Sequence, residues 1–195
     1  MASEIMQRYL LSGMIVVWLI FIFLLFMRPA PFPDQNKTSK NLWGLVLQVL
    51  AFGMLFWGQR PLFTPLFRWS ETLQTPLVVG CLGLALASLW LIGRSFLQLR
   101  QWQYDHRKTP GAREVLNTGA FRFVRHPFFA GLLGLLLTTG FTLSTKTAFL
   151  LALITYAAGT WFRIQAEEAD LRARFGAVYE DYAARVPMLF PKRFA

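Results

Sequence analysis

Five long apolar blocks, separated by polar and turn-rich stretches, set the pattern of this chain. Leu10 to Met27 contains no charged residue before its end and is long enough for a spanning helix rather than a signal-peptide core. Arg28-Pro29-Ala30-Pro31 follows and is not a small-residue cleavage site, so the block is expected to stay as an anchor. After a polar loop from Asp34 to Asn41, Leu42 to Trp57 forms the second block, interrupted only by Gln48. Gln59 to Pro76, with three prolines, two arginines and Trp69, reads as an interfacial loop. Leu77 to Ile92 is the third block, rich in Gly, Ala and Leu and suited to close helix packing. Arg94 to His126 is the longest polar segment; its first part is expected to continue the third helix outward, and Lys108-Thr109-Pro110-Gly111 to break it. Pro127 to Leu143 is the fourth block. Lys146 marks a short turn, so Ala148 to Phe162 must return antiparallel as the fifth.

Beyond Arg163 the helical periodicity persists to Val186-Pro187. Leu171, Phe175, Val178 and Tyr182 follow one another at spacings of four, three and four, an amphipathic stripe. The expected fold is therefore an all-α integral membrane protein: five transmembrane helices and a cytoplasmic C-terminal amphipathic helix. Residues 1–93 form a three-helix transmembrane part. Residues 94–195 hold the interfacial loop, the helical hairpin 127–162 and the C-terminal helix.

Composition agrees. Of 195 residues 55% are hydrophobic and 15% charged, and the mean hydropathy is +0.41. A net charge of +10 in such a chain does not imply nucleic acid, because its placement follows the membrane. The N-terminal tail, the second loop and the Lys146 turn hold four Lys and Arg. The first loop, the Arg94–His126 segment and the C-terminal tail hold sixteen. The positive-inside rule puts the second group in the cytoplasm and the N-terminus outside. The single Cys81 excludes an intramolecular disulfide, and one cysteine with two histidines is too few for a structural zinc site. None of the five blocks carries an ionisable Asp, Glu, Lys, Arg or His in its interior, which argues against an ion pump or proton relay.

Candidate chemistry gathers at the cytoplasmic interface. Thr118 to Gly131 brings Arg122, Arg125 and His126 to the start of the fourth block, where Pro127 suits the first helical position. A helix N-terminus among cations is a seat for anions, although basic residues also anchor helices without further function. At the far end of the fifth block stand Arg163, Glu167 and Glu168. Glu168 and Arg172 read equally well as a surface ion pair. Two oppositely charged clusters at one end of a tight hairpin suit a zwitterionic cofactor.

These residues resemble the isoprenylcysteine carboxyl methyltransferase group of membrane methyltransferases. The resemblance lies in Arg125-His126-Pro127-Phe128-Phe129-Ala130-Gly131, Glu167-Glu168, Phe175-Gly176, Tyr179, Tyr182 and Val186-Pro187, and runs from about Arg113 to the end. It implies S-adenosylmethionine bound by Arg113, Glu114, Val115, Leu116, Phe121, Arg125, His126, Pro127, Phe128, Phe129, Glu167 and Glu168. Arg163 and Glu167 would be the catalytic pair, with Arg163 facing the acceptor. The chain departs from the family by having Phe121 and Phe129 where Tyr is frequent. Its five spans are like those of prokaryotic relatives, which implies a bacterial inner membrane and points away from isoprenylated protein substrates.

Methyl transfer is an in-line displacement, so positioning and exclusion of water are its main requirements. An ionised carboxylate acceptor needs no general base and fits the bidentate reach of Arg163. A lipophilic carboxylate entering from the bilayer is therefore the expected substrate, with membrane lipids as surroundings and neither nucleic acid nor metal as partner. A thiol or a phospholipid amine is the alternative acceptor. An NADPH-dependent sterol-type reductase and a non-enzymatic membrane scaffold are the alternative functions. No G-x-G-x-x-G follows a strand pattern, which excludes a soluble nucleotide-binding methyltransferase fold.

Overall fold

The computed structural model describes residues 2–28, 39–60, 66, 71–108 and 115–191. Among them are six α-helices: α1 (Ala2–Phe26), α2 (Ser39–Trp57), α3 (Glu71–Lys108), α4 (Pro127–Leu143), α5 (Lys146–Phe175) and α6 (Ala177–Arg185). A single 3₁₀ turn, Gly119–Arg122, precedes α4. Stretches of α1, α3 and α5, namely Arg8–Phe26, Thr75–Asp105 and Lys146–Phe175, are long and apolar enough to cross a membrane. Asn41–Trp57 and Pro127–Leu143 are shorter apolar helices. Trp57, Trp90, Phe26 and Leu19 lie exposed on the outside of the bundle, as side chains facing lipid do.

Two local features differ from the expected elements. The third helix starts earlier than expected, at Glu71 within the expected loop and with Pro76 near its beginning, while its outward continuation to Lys108 is as the sequence suggests. The C-terminal helix is not continuous. It breaks at Gly176, whose φ of 52° suits a residue without Cβ. The break resets the helical phase, so Val178 is exposed while Tyr179 and Tyr182 are buried. Of the stripe read from Leu171 to Tyr182, Val178 alone leaves it, while Leu171, Phe175 and Tyr182 line one cavity.

The core joins Met14 and Val17 of α1, Leu55 of α2, Ile92 of α3, Leu135 and Leu136 of α4 and Tyr156 of α5. α2 packs along α5 and α4 along α3, the two most extensive helix pairs. The α4–α5 hairpin turns in two residues. Ser144 caps α4, and the Thr145 hydroxyl accepts a hydrogen bond from the Ala148 N–H to start α5. The turn is pinned from outside, with Thr145 N–H donating to Gly58 O at 2.8 Å and Arg60 N–H to Leu143 O at 2.9 Å. Both helices are thereby fixed in register, and their opposite ends meet around the charged residues.

Candidate functional site

His126 is the residue before α4, with Pro127 at the first helical position as the sequence suggests. Its backbone is held by the chain's C-terminal segment: Arg125 N–H donates to Pro187 O at 2.8 Å and His126 N–H to Met188 O at 3.1 Å. The ring is buried between two carboxylates, Nδ1 standing 3.6 Å from Glu167 Oε2 and Nε2 3.3 Å from Glu168 Oε1. Burial by itself would lower the His126 pKa, but the paired carboxylates outweigh it and hold it above the ordinary histidine value. An imidazolium suits this arrangement, donating from Nε2 to Glu168 and facing the Glu167 carboxylate with Nδ1.

The adjacent glutamates have different surroundings. Glu168 is buried and sits at the centre of an ion cluster, 2.8 Å from Arg125 Nη1 and 3.1 Å from Arg172 Nη2. It is not the surface partner of Arg172 that its spacing allows, and it is not among the residues that line the cavity described below. Glu167 faces that cavity with a side chain 28% exposed, and lies 3.5 Å from Arg163 Nη2. The difference follows from helix geometry, since neighbouring residues point about 100° apart.

Arg163 is buried although it directly follows the apolar stretch of α5. Its Nη1 donates to Gln48 Oε1 of α2 at 2.8 Å, and its guanidinium lies 4.8 Å above the centroid of the Phe129 ring. Phe129 is fixed in turn, for Tyr156 donates its hydroxyl to Phe129 O at 2.7 Å. Among the buried polar atoms without a hydrogen-bond partner in the described residues are Arg163 Nε, Arg125 Nε and the Tyr179 hydroxyl. Unpartnered donors of this kind at a cavity wall are candidate ligand contacts.

The cavity encloses about 230 Å³. Val115, Leu116, Phe121, Arg125, His126, Pro127, Phe128, Phe129, Arg163 and Glu167, all singled out in the sequence, line it together. Arg113 and Glu114 lie outside the described residues. Phe121 is held by its carbonyl, which accepts from the Tyr182 hydroxyl at 2.6 Å. The aromatic wall is continuous, with Phe96 of α3 stacked on Phe128 at 5.2 Å between centroids.

Several lining residues carry no family motif. Arg28 lies two residues beyond α1, Ser95 and Gln103 extend from α3, and Asp170, Leu171 and Arg174 continue α5. The α5 residues were within reach of sequence reasoning, because they follow Glu167 by three, four and seven and so share its face. Gln48, 115 positions before Arg163, carries no such signal.

No family model matches the chain. It is 36% identical over 170 residues to methanethiol S-methyltransferase 2 of Bradyrhizobium diazoefficiens, a match covering 85% of this chain and 62% of that protein. It is 28% identical over 173 residues to the nickel-cobalt-cadmium resistance protein NccN of Alcaligenes xylosoxydans xylosoxydans, covering 84% and 70% respectively. The chain therefore spans about three fifths of the length of the methanethiol S-methyltransferase.

Proposed function

We propose that the protein is an integral membrane methyltransferase of the isoprenylcysteine carboxyl methyltransferase type. It crosses the membrane five times with its C-terminus in the cytoplasm, and moves a methyl group from S-adenosylmethionine to an anionic acceptor. The observation that carries this reading is a single cavity where Arg163, Glu167 and an aromatic wall converge. The match of 170 residues to a protein named as a methyltransferase supports it.

The residues present fit the cofactor. Its α-carboxylate suits the unpartnered N–H of Arg125 and the Tyr179 hydroxyl, and its ammonium or ribose hydroxyls suit Glu167. Phe96, Phe121 and Phe128 offer faces to the adenine and to the cationic sulfur. The cavity of about 230 Å³ is smaller than the roughly 300–1,000 Å³ of common ligand pockets, so bound cofactor would extend through its mouth. When bound, S-adenosylmethionine supplies an activated methyl group on sulfur. Everything else is the work of the chain: Arg163 orients the acceptor, Phe129 supports Arg163 from behind, and the aromatic wall, with Phe96 and Phe129 buried, keeps water out.

A carboxylate acceptor meets these needs already ionised. A thiol meets them equally, because a guanidinium beside it lowers its pKa and favours the nucleophilic thiolate. The S-methylation in the relative's name favours the thiol, which we take as the acceptor class.

Calorimetric titration of detergent-purified protein with S-adenosylhomocysteine tests the cofactor. Saturable binding is expected, weakened at least about tenfold in Glu167→Gln, the loss of one charge-assisted contact. Transfer of labelled methyl from S-adenosylmethionine to methanethiol, longer thiols and prenyl-type carboxylates then separates the acceptors. Binding of NADPH in place of S-adenosylhomocysteine would overturn the reading in favour of a reductase. Binding of neither would favour a scaffold.

A further inference from the structure

Arg163 would be a poor acceptor guide if it were a mobile side chain, and the residue that grips it comes from the other half of the molecule. Where α2 and α5 cross, their backbones touch. A Cβ at Gly44 would stand 2.7 Å from Gly159 O, and a Cβ at Gly159 would stand 2.8 Å from Gly44 O. The crossing therefore requires glycine on both helices. Its consequence lies one turn further along each, at Gln48 of α2 and Arg163 of α5. Helix side chains lean towards the N-terminus of their own helix. Since α2 and α5 run antiparallel, Gln48 and Arg163 lean towards each other.

The contact is completed by Thr160. Gln48 Oε1 accepts from Arg163 Nη1 at 2.8 Å, while Gln48 Nε2 donates to Thr160 Oγ1 at 2.9 Å. Gln48, Thr160 and Arg163 are all buried, at 4%, 3% and 6% exposure, so no water can readily substitute for a lost partner. Only one orientation of the amide serves both neighbours. If it were flipped, its NH₂ would oppose the guanidinium, donor against donor. Thr160 thus sets the face that Gln48 offers, and Gln48 sets the position of Arg163.

We infer that Gln48 and Thr160 are positioning residues that lock the Arg163 guanidinium at the wall of the cavity, where it meets an anionic acceptor. The inference rests on the methyltransferase reading for what Arg163 does, but not for how it is held. Neither Gln48 nor Thr160 lines the cavity, so they act through Arg163 alone. The rest of the guanidinium is already committed: Nη1 to Gln48, Nη2 beside Glu167, and one face to Phe129. Nε alone is buried without a partner. A neutral amide suits this task better than a carboxylate, because it fixes the cation without cancelling the charge that an acceptor would seek.

The test reads the order of Arg163 directly. In the full chain in detergent with ¹⁵N-labelled arginine, Arg163→Lys identifies the Arg163 guanidinium signals by their disappearance. Wild-type protein should show distinct, slowly exchanging Nη protons for this residue. Gln48→Leu should collapse them to the averaged signal of a rotating guanidinium. Gln48→Glu, which retains a buried oxygen acceptor, should keep them distinct, and Thr160→Val should give an intermediate result.

In parallel, Gln48→Leu should lower kcat/KM for the thiol acceptor by roughly 30- to 100-fold, the scale of misplacing a reacting group by about an ångström. Its affinity for S-adenosylhomocysteine should be unchanged, and Gln48→Glu, which restores the oxygen acceptor but adds a negative charge beside Arg163, should recover only part of the rate. Arg163 as ordered in Gln48→Leu as in the wild type would overturn the inference. So would an equal loss of thermal stability, cofactor affinity and rate in Gln48→Leu and Gln48→Glu, which is the signature of packing alone. Wild-type protein that fails to bind S-adenosylhomocysteine would sink the methyltransferase reading only, since the order of Arg163 is measured without it.

Discussion

The two ends of the α4–α5 hairpin are both polar and both buried, yet they are built on opposite principles. At the turn, side chains finish on backbone. The Ser144 hydroxyl donates to Leu55 O at 2.9 Å, and Arg60 Nη2 donates to Phe141 O and Thr142 O, each at 2.8 Å. These carbonyls are at the C-terminal ends of α2 and α4, where helices leave acceptors unmatched, so the contacts close helix ends that would otherwise lack partners. At the other end, side chains finish on side chains. Arg125, His126, Arg163, Glu167, Glu168 and Arg172 form one network, and some donors at the cavity wall remain without partners. Backbone acceptors at helix ends fix a structure. A charged network with donors to spare is how a fold keeps binding capacity ready, at some cost in stability.

The comparison breaks most visibly at Glu168. Removing its carboxylate in Glu168→Leu leaves Arg125 and His126 buried without their shared counter-charge. Loss of one partner of a buried ion cluster costs about 3–5 kcal/mol, so a large fall in the thermal midpoint is expected. A variant as stable as the wild type would mean that the cluster does not hold this end of the hairpin.

A pH series sharpens the same point. The groups facing His126 are Glu167 and Glu168, with Arg125, Arg163 and Arg172 around them. A histidine whose folded pKa is raised contributes stability that is complete below its unfolded value of about 6.5 and is lost as pH rises through the folded value. Thermal midpoints should therefore fall over that window on the alkaline side of about pH 6.5. His126→Gln should flatten this part of the profile. An unchanged slope in the variant would remove His126 as its source.

The two ends were not equally legible in the sequence. Pro127 announces the start of α4, and the few residues between Leu143 and Ala148 leave no room except for a tight turn. Arg163 and Glu167, four apart and next to an apolar block, could be placed on one helix face without a structure. Gln48 could not. It interrupts an apolar run as a lone amide, and only the Gly44–Gly159 crossing reveals that it touches Arg163. The division of labour between Glu167 and Glu168 was hidden for a related reason: periodicity gives the angle between them but not which neighbours each will meet. The early start of α3 was obscured because Glu71, Thr72, Gln74, Thr75 and Pro76 read as part of a loop. At Gly176 a glycine within a periodic stretch was compatible with either a tolerated residue or a break, and its positive φ decided for the break.

The smallest effect is expected at the turn, with Ser144→Ala. Ser144 has no exposed surface, and its hydroxyl meets Leu55 O, one of the last carbonyls of α2. Alanine fits the same space and leaves that buried acceptor without its donor, a loss of about 1–3 kcal/mol and so smaller than that of Glu168→Leu. The neighbouring contacts of Thr145 and Arg60 still pin the turn. The thermal midpoint should therefore drop modestly while S-adenosylhomocysteine binding is unchanged, because the site lies at the opposite end of two stiff helices. A cofactor affinity that falls together with the stability would mean that the hairpin transmits strain from one end to the other, and that the turn belongs to the site.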